Sequence, residues 1–256
     1  MRRRSLARLA AAATVATAAL AATSALALAA PACTGVPTRG CLLPFPNDYA
    51  LTKADRSTPT KRRVALPASA MPVNTKGARL NPAEWNRNDG FSPGEPIIVH
   101  VPSLTSQAAL RRSGIVPVTD LAKYRAARQP LLLLDEQTGR RQMIWGELDA
   151  NPVPAASRNL IIHPARNLVP GRRYVVVLRN LRDRTPAGLW RTASPALKAA
   201  LRKAKVAEKS VYLTWDFTVA SDRSLTARML KMRNEAFARL GDRNLADGRI
   251  AGRPPA

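Results

Sequence analysis

The hydrophobic positions of this chain fall into short runs separated by turn-forming residues, and only one long stretch repeats with helical spacing. The most informative run is Arg158–Asp183, RNLIIHPARNLVPGRRYVVVLRNLRD, where Leu160–Ile162 and Tyr174–Leu178 flank a connection holding Pro164, Pro170 and Gly171. Short segments rich in Ile, Val and Tyr, bounded by Pro, Gly and Asn, predict strands. Pro170-Gly171 predicts a turn, because Pro presets φ and Gly accepts positive φ. The expected product is a pair of buried strands, followed by a polar turn at Asn180–Arg184.

Further runs predict more strands: Arg63–Leu66, Pro96–Val101, Leu131–Leu134 and Gln142–Leu148, with Gly139 placed for a hairpin connection. The last is Ser210–Val219, where Tyr212, Thr214, Asp216 and Thr218 alternate with Val211, Leu213, Trp215, Phe217 and Val219. Short strands with turn signals between them predict a mainly β fold, an Ig-like β-sandwich over 95–220. One helix is expected inside it, at about 194–205, with Pro195 at the first helical position behind a Ser cap.

Residues 33–94 are rich in Pro, Asn and Ser. Leu42, Leu43 and Phe45 are spaced by Pro44 and Pro46, which excludes a helix and predicts an extended segment packed on the sandwich. Trp85 and Phe91 are the expected apolar anchors of its second half. After the sandwich, residues 221–241 predict an amphipathic helix. Leu225, Met229, Met232, Ala236 and Leu240 make one continuous stripe, widened by Leu230 and Phe237, with Gly241 as the residue that ends it. Such a stripe packs on its own domain or docks on another, and Leu225, Met229, Met232 and Leu240 are the candidate docking face. Residues 242–256 read as a polar linker or truncated tail.

The front of the chain changes this picture. Arg2, Arg3, Arg4 and Arg8 precede a run of Ala, Leu, Val and Thr that ends in small residues, so residues 1–32 are expected to be a cleaved signal peptide and the protein to be exported. Export makes Cys33 and Cys41 a candidate disulfide, which in the chain-entropy model contributes about 2–3 kcal/mol over so short a loop. Lipidation of Cys33 and two free thiols are the alternatives. With only two cysteines and two distant histidines, a structural zinc site, which needs about four N/S ligands, is not expected.

The formal net charge is +24, of which the four leader arginines contribute four. A field of this sign favours an anionic cell-envelope surface. Nucleic acid is not an expected partner, because the charge is scattered and aromatic residues are only 5% of the chain.

Catalytic chemistry is sparse. Gly90-Phe91-Ser92-Pro93-Gly94 matches the nucleophile-elbow pattern of α/β-hydrolases, but Pro93 has no N–H to serve an oxyanion and a strand-like run follows in place of a helix. Ser92 is therefore expected in a turn. His100 and His163 sit in strand-like runs with no nucleophile nearby in sequence. Asp89, Glu147 and Asp149 lack the dense spacing of a calcium loop. No phosphate loop, dinucleotide fingerprint or cofactor-binding pattern is present.

Two short motifs and the long strand unit carry a resemblance. LPFPND at Leu43–Asp48, NDGFS at Asn88–Ser92 and LIIHPARNLVPGRRYVVVLRNLRD at Leu160–Asp183 resemble the N-terminal domain of secreted bacterial virulence-factor-type lipases. The last stretch also resembles Ig-like domains of bacterial surface proteins. The similarity runs from Cys41 to Val219. It implies a non-catalytic accessory sandwich that supports a hydrolase-like domain or protein, from a shortened or split reading frame. The family's catalytic serine lies in the domain that follows, so no catalytic residue is carried over.

Overall fold

The computed structural model describes residues 40–102, 104–151, 154–181 and 194–240. The expected signal peptide, Cys33, Gly241 and the polar tail lie outside these residues. The described chain is mainly β, with nine strands in three sheets and four α-helices.

The strands are β1 (Thr52–Ala54), β2 (Arg62–Val64), β3 (Ile97–Val99), β4 (Leu131–Asp135), β5 (Arg141–Gln142), β6 (Ile144–Leu148), β7 (Leu160–Pro164), β8 (Arg173–Arg179) and β9 (Val211–Thr218). The helices are α1 (Asp48–Leu51), α2 (Gln107–Ser113), α3 (Pro195–Lys203) and α4 (Asp222–Leu240). All strand pairs are antiparallel: β1 with β2, a three-stranded sheet β3-β7-β6, and a four-stranded sheet β5-β4-β8-β9.

The four-stranded sheet is buried on both faces. One face of β4, β8 and β9 gives Leu131, Leu133, Tyr174, Val176, Leu178, Leu213, Trp215 and Phe217 to a core shared with β3, β6 and β7. The other gives Leu132, Leu134, Val175, Val177 and Val211 to a second core, completed by Leu197, Ala200 and Leu201 of α3. This is why β4 reads as four consecutive leucines: neither side of it can be polar. Ser194 caps α3, its hydroxyl accepting from Leu197 N, and Pro195 stands at the start of the helix as expected.

Two expectations need correction. The strands at Leu160–Ile162 and Tyr174–Leu178 are not partners: β7 joins one sheet and β8 the other. Gln142–Leu148 is likewise two strands, because the chain leaves the sheet of β4 after Gln142 and enters the sheet of β7 at Ile144. Gly139 turns the β4–β5 hairpin with φ +70°, a left-handed value that favours glycine. The segment before β3 is not simply extended: it holds α1, the β1–β2 hairpin and two 3-10 turns, Ala68–Ala70 and Trp85–Arg87. In it Phe91 is buried, whereas Trp85 is half exposed and does not serve as a core anchor.

Burial on both faces makes adjacent positions of β4 equally costly to truncate. Leu133→Ala and Leu134→Ala should each lower unfolding free energy by about 2–5 kcal/mol, read by urea denaturation. A mild effect at either position would contradict the two-core arrangement.

Candidate functional site

The two unusual motifs of the N-terminal segment converge on one place, the junction where β9 passes into α4. In the first motif, Asn47 is fully buried and caps α1, its Oδ1 accepting from Ala50 N at 2.7 Å while its Nδ2 donates to Pro44 O at 2.6 Å. Phe45 pairs with the edge of β3 through Phe45 N to Ile98 O at 2.8 Å and Ile98 N to Phe45 O at 2.7 Å. Pro46 O accepts from Trp215 Nε1 at 2.8 Å. Asp48, also buried, takes both donors of one residue: Thr218 N at 3.1 Å and Thr218 Oγ1 at 2.6 Å.

The second motif repeats the device three residues further on. Asp89 is buried and accepts from Ser221 N at 2.9 Å and Ser221 Oγ at 2.7 Å. Ser221 is in turn the N-cap of α4, its Oγ accepting from Ser224 N at 3.2 Å. The Asp89 carboxylate therefore also stands at the positive end of the helix dipole. Ser224 Oγ accepts from Asp89 N at 3.3 Å, a third tie between motif and helix. Gly90 permits the approach, since a Cβ there would meet Ala220 N at 2.6 Å and Thr218 O at 2.7 Å. Phe91 then pairs with the strand end through Thr218 O and Ala220 N, and its ring meets Phe45 edge-on at 5.6 Å.

Ion pairs surround Asp48. Arg62 Nε lies 3.0 Å and Arg173 Nε 3.5 Å from its Oδ2. Burial pushes the Asp48 carboxyl up from 3.8 to about 6, while Arg62, the Thr218 hydrogen bond and Arg173 pull it back. The carboxylate is thus ionised at neutral pH and neutral in mild acid. A small cleft of about 330 Å³ opens beside it, lined by Asp135, Glu136, Arg172, Arg173 and Thr218. Its charges are matched: Arg172 holds Asp135 at 2.7 Å, and Arg173 reaches Glu136 at 3.4 Å and Asp216 at 3.8 Å.

From this clamped base α4 runs uncovered. Leu225, Met229, Leu230 and Met232 are 39%, 65%, 42% and 49% exposed. The side chain of Leu240, the remaining residue of the expected docking face, lies outside the described residues. The helix side carrying Ser224, Arg228, Lys231 and Glu235, together with Met232 of the expected docking face, lines an open groove of about 910 Å³ against Ser57–Pro59, Arg63, Glu84 and Arg87. Arg228 reaches Glu84 across it at 3.6 Å. The helix is exposed along both sides: Arg228, Lys231 and Glu235 border the groove with side chains 77%, 76% and 56% exposed, and Leu225, Met229 and Leu230 face solvent. Among the described residues no helix is long and apolar enough to cross a membrane.

The residues weighed for catalysis and metal binding are not brought together. Ser92 is exposed in a turn closed by Glu95 N donating to Ser92 O at 3.3 Å, and β3 follows it. His163 Nε2 lies 3.0 Å from Glu147 Oε1, and its ring stacks on Trp145 at 4.0 Å. No serine or threonine hydroxyl among the described residues is hydrogen-bonded to a histidine. Asp89 serves Ser221 and Asp149 its own turn through Asn151 N, so the three carboxylates considered for calcium do not converge. No group of three or more His, Cys, Asp or Glu among the described residues could hold a metal ion. Cys41 is fully buried, and its expected partner Cys33 lies outside the described residues.

Compared with known proteins, the chain matches no family model, no curated protein and no solved structure.

Sequence reasoning missed Asp48, Thr218 and Ser221, and read Asp89 only as a turn or calcium residue. The available signal was two short motifs that each contain Asn followed by Asp, at Asn47-Asp48 and Asn88-Asp89.

Two measurements test the clamp. Because the folded pKa of Asp48 lies above the unfolded value, its stabilising contribution is full below about pH 4 and lost as pH rises through 6. Wild type should therefore gain about 2 kcal/mol on Asp48→Asn between pH 7 and pH 4.5, in paired urea melts. Gly90→Ala should cost about 1–3 kcal/mol, because its methyl group meets backbone that cannot retreat.

Proposed function

We propose that this chain is an exported, non-catalytic accessory module, an Ig-like sandwich that supports a secreted lipase- or esterase-type hydrolase through α4. The observation that carries this reading is a helix of 19 residues whose cap is held by the buried Asp89, and the strand before it by the buried Asp48, while Leu225, Met229, Leu230 and Met232 are exposed among the described residues. Helices in proteins gain most of their stability by packing an amphipathic side, and an exposed apolar stripe marks an interaction surface.

Strand order favours the Ig-like reading. With the Phe45 bridge as its edge, one sheet runs Phe45-β3-β7-β6, and the other runs β5-β4-β8-β9. These correspond to the A-B-E-D and C′-C-F-G orders of Ig sandwiches. Tyr174, at the start of β8 in the F position, accepts from Val169 N at 2.9 Å through its hydroxyl, the hydrogen bond of a tyrosine corner. The inter-sheet disulfide of antibody domains has no counterpart, since β3 and β8 contain no cysteine. The leader-like N-terminus favours export.

The net charge of +24 favours a second reading, a stand-alone module held by the anionic cell envelope. Retention on envelopes that falls steeply above about 0.1 M salt would select it.

The test pairs the purified chain with hydrolase-type enzymes exported by the same cells. The chain alone should not hydrolyse p-nitrophenyl butyrate, and it should bind one such enzyme. Leu225→Ser with Met229→Ser should weaken binding by about tenfold or more while leaving stability within about 0.5 kcal/mol, because both side chains are exposed. Esterase activity of the chain itself, abolished by Ser92→Ala, would overturn the proposal.

A further inference from the structure

The exposed side of α4 is not uniformly apolar. Residues four apart lie in one row along a helix, and the exposed Leu225, Met229 and Arg233 with the half-buried Phe237 form such a row. Leu230 and Ala236, three residues to either side of Arg233, flank it. A guanidinium therefore stands inside the apolar surface. Its Nε and one terminal nitrogen donate to Asn234 Oδ1 at 3.0 and 2.8 Å, a neutral acceptor on the adjacent residue. The acids nearest along the helix and across the groove are engaged elsewhere: Glu235 with Lys231 at 3.7 Å, and Glu84 with Arg228 at 3.6 Å. No carboxylate among the described residues lies within ion-pair distance of Arg233.

We propose that α4 docks into an apolar groove of a partner protein that presents an Asp or Glu carboxylate to Arg233. This rests on the accessory-module reading and specifies the chemistry of its partner. Covering the row with a purely apolar surface would bury the charge unpaired, which costs several kcal/mol. A carboxylate in the groove meets the planar guanidinium with two parallel hydrogen bonds and fixes the register of the helix. Central arginines ringed by apolar contacts are a recurrent source of binding energy at interfaces.

Charge argues against the other occupants. A second copy would bring Arg223, Arg228, Lys231, Arg233 and Arg239 of each helix against one another, with only Asp222 and Glu235 to offset them. A lipid surface is a poor match, because interfacial helices keep their cations on the polar side and their inserted side apolar. Here the cation divides the side that would insert.

The experiment places a photoreactive residue on the exposed stripe, Ala236→p-benzoylphenylalanine, in the full chain expressed in its own cells. Irradiation should give one protein adduct, with the cross-linked peptide next to an Asp or Glu. Arg233→Glu should cut the adduct about tenfold or more and Arg233→Lys should retain most of it. Replacing the partner's carboxylate by Arg should restore the adduct to the Arg233→Glu chain. Circular dichroism should show all variants equally folded, since Arg233 is exposed.

The inference is overturned by an adduct indifferent to Arg233→Glu, by an adduct of the chain with itself, or by no protein adduct at all. Co-sedimentation of the wild-type chain with phosphatidylcholine vesicles holding about 30% phosphatidylglycerol at about 0.15 M salt, increased by Arg233→Leu, would assign α4 to membranes instead. A hydrolase adduct that ignores Arg233 would leave the accessory reading standing and remove this one. A non-hydrolase partner restored by the charge exchange would do the reverse.

Discussion

Each of two buried carboxylates, Asp48 and Asp89, takes the N–H and the O–H of a single residue at the end of β9, Thr218 and Ser221. Hydrogen bonds to an ionised acceptor are stronger than neutral ones, and removing either partner leaves a buried charge or dipole unpaired. The direction of α4, the seating of the N-terminal segment and the covering of exposed strand edges all depend on this pair of contacts. Phe45 closes the edge of β3 and Phe91 pairs beyond the end of β9, so the same segment that supplies the acids also covers backbone that would otherwise be open.

The double clamp stands on a rigid floor. Leu131–Leu134 and Tyr174–Leu178 are buried from both sides, between the three-stranded sheet and α3, which holds β9 in place through two cores. A helix launched from a fixed strand keeps its direction in space even where its own side chains touch nothing. That combination, a stiff base and an uncovered apolar side, distinguishes α4 from a frayed terminus and makes it a candidate recognition element. The groove beside it is polar and partly charge-paired, so the helix's outward side carries its apolar capacity.

Much of the fold was legible in the chain, and the reasons differ by element. The leucine run of β4, the turn at Pro170-Gly171 and the Ser-Pro start of α3 are local signals, and each marks the element expected. The switch of sheets after Gln142 was not legible, because period-two burial says which side of a strand is covered but not by which sheet. Thr214 and Thr218 read as the exposed side of β9, yet both are buried, satisfied by Val176 O and by Asp48. The acids of the candidate site were invisible for a related reason: an Asp in a turn motif looks the same whether it meets water or a distant hydroxyl. The stripe of α4 was legible from its spacing, but not that Leu225, Met229 and Leu230 stay exposed, since periodicity says which residues share a side and not what covers it.

The contacts that seat the N-terminal segment join positions far apart along the chain, 170 residues for Asp48 to Thr218 and 169 for Pro46 to Trp215. Loop closure over such distances comes late, after local pairs have formed. For any chain delivered N-terminus first, the PFPND segment must wait, unfinished, until β9 has arrived. The start of α4 waits in the same way on the second motif, because Ser221 meets Asp89 from 132 residues away, so the helix has its direction only on molecules in which that distant contact has closed.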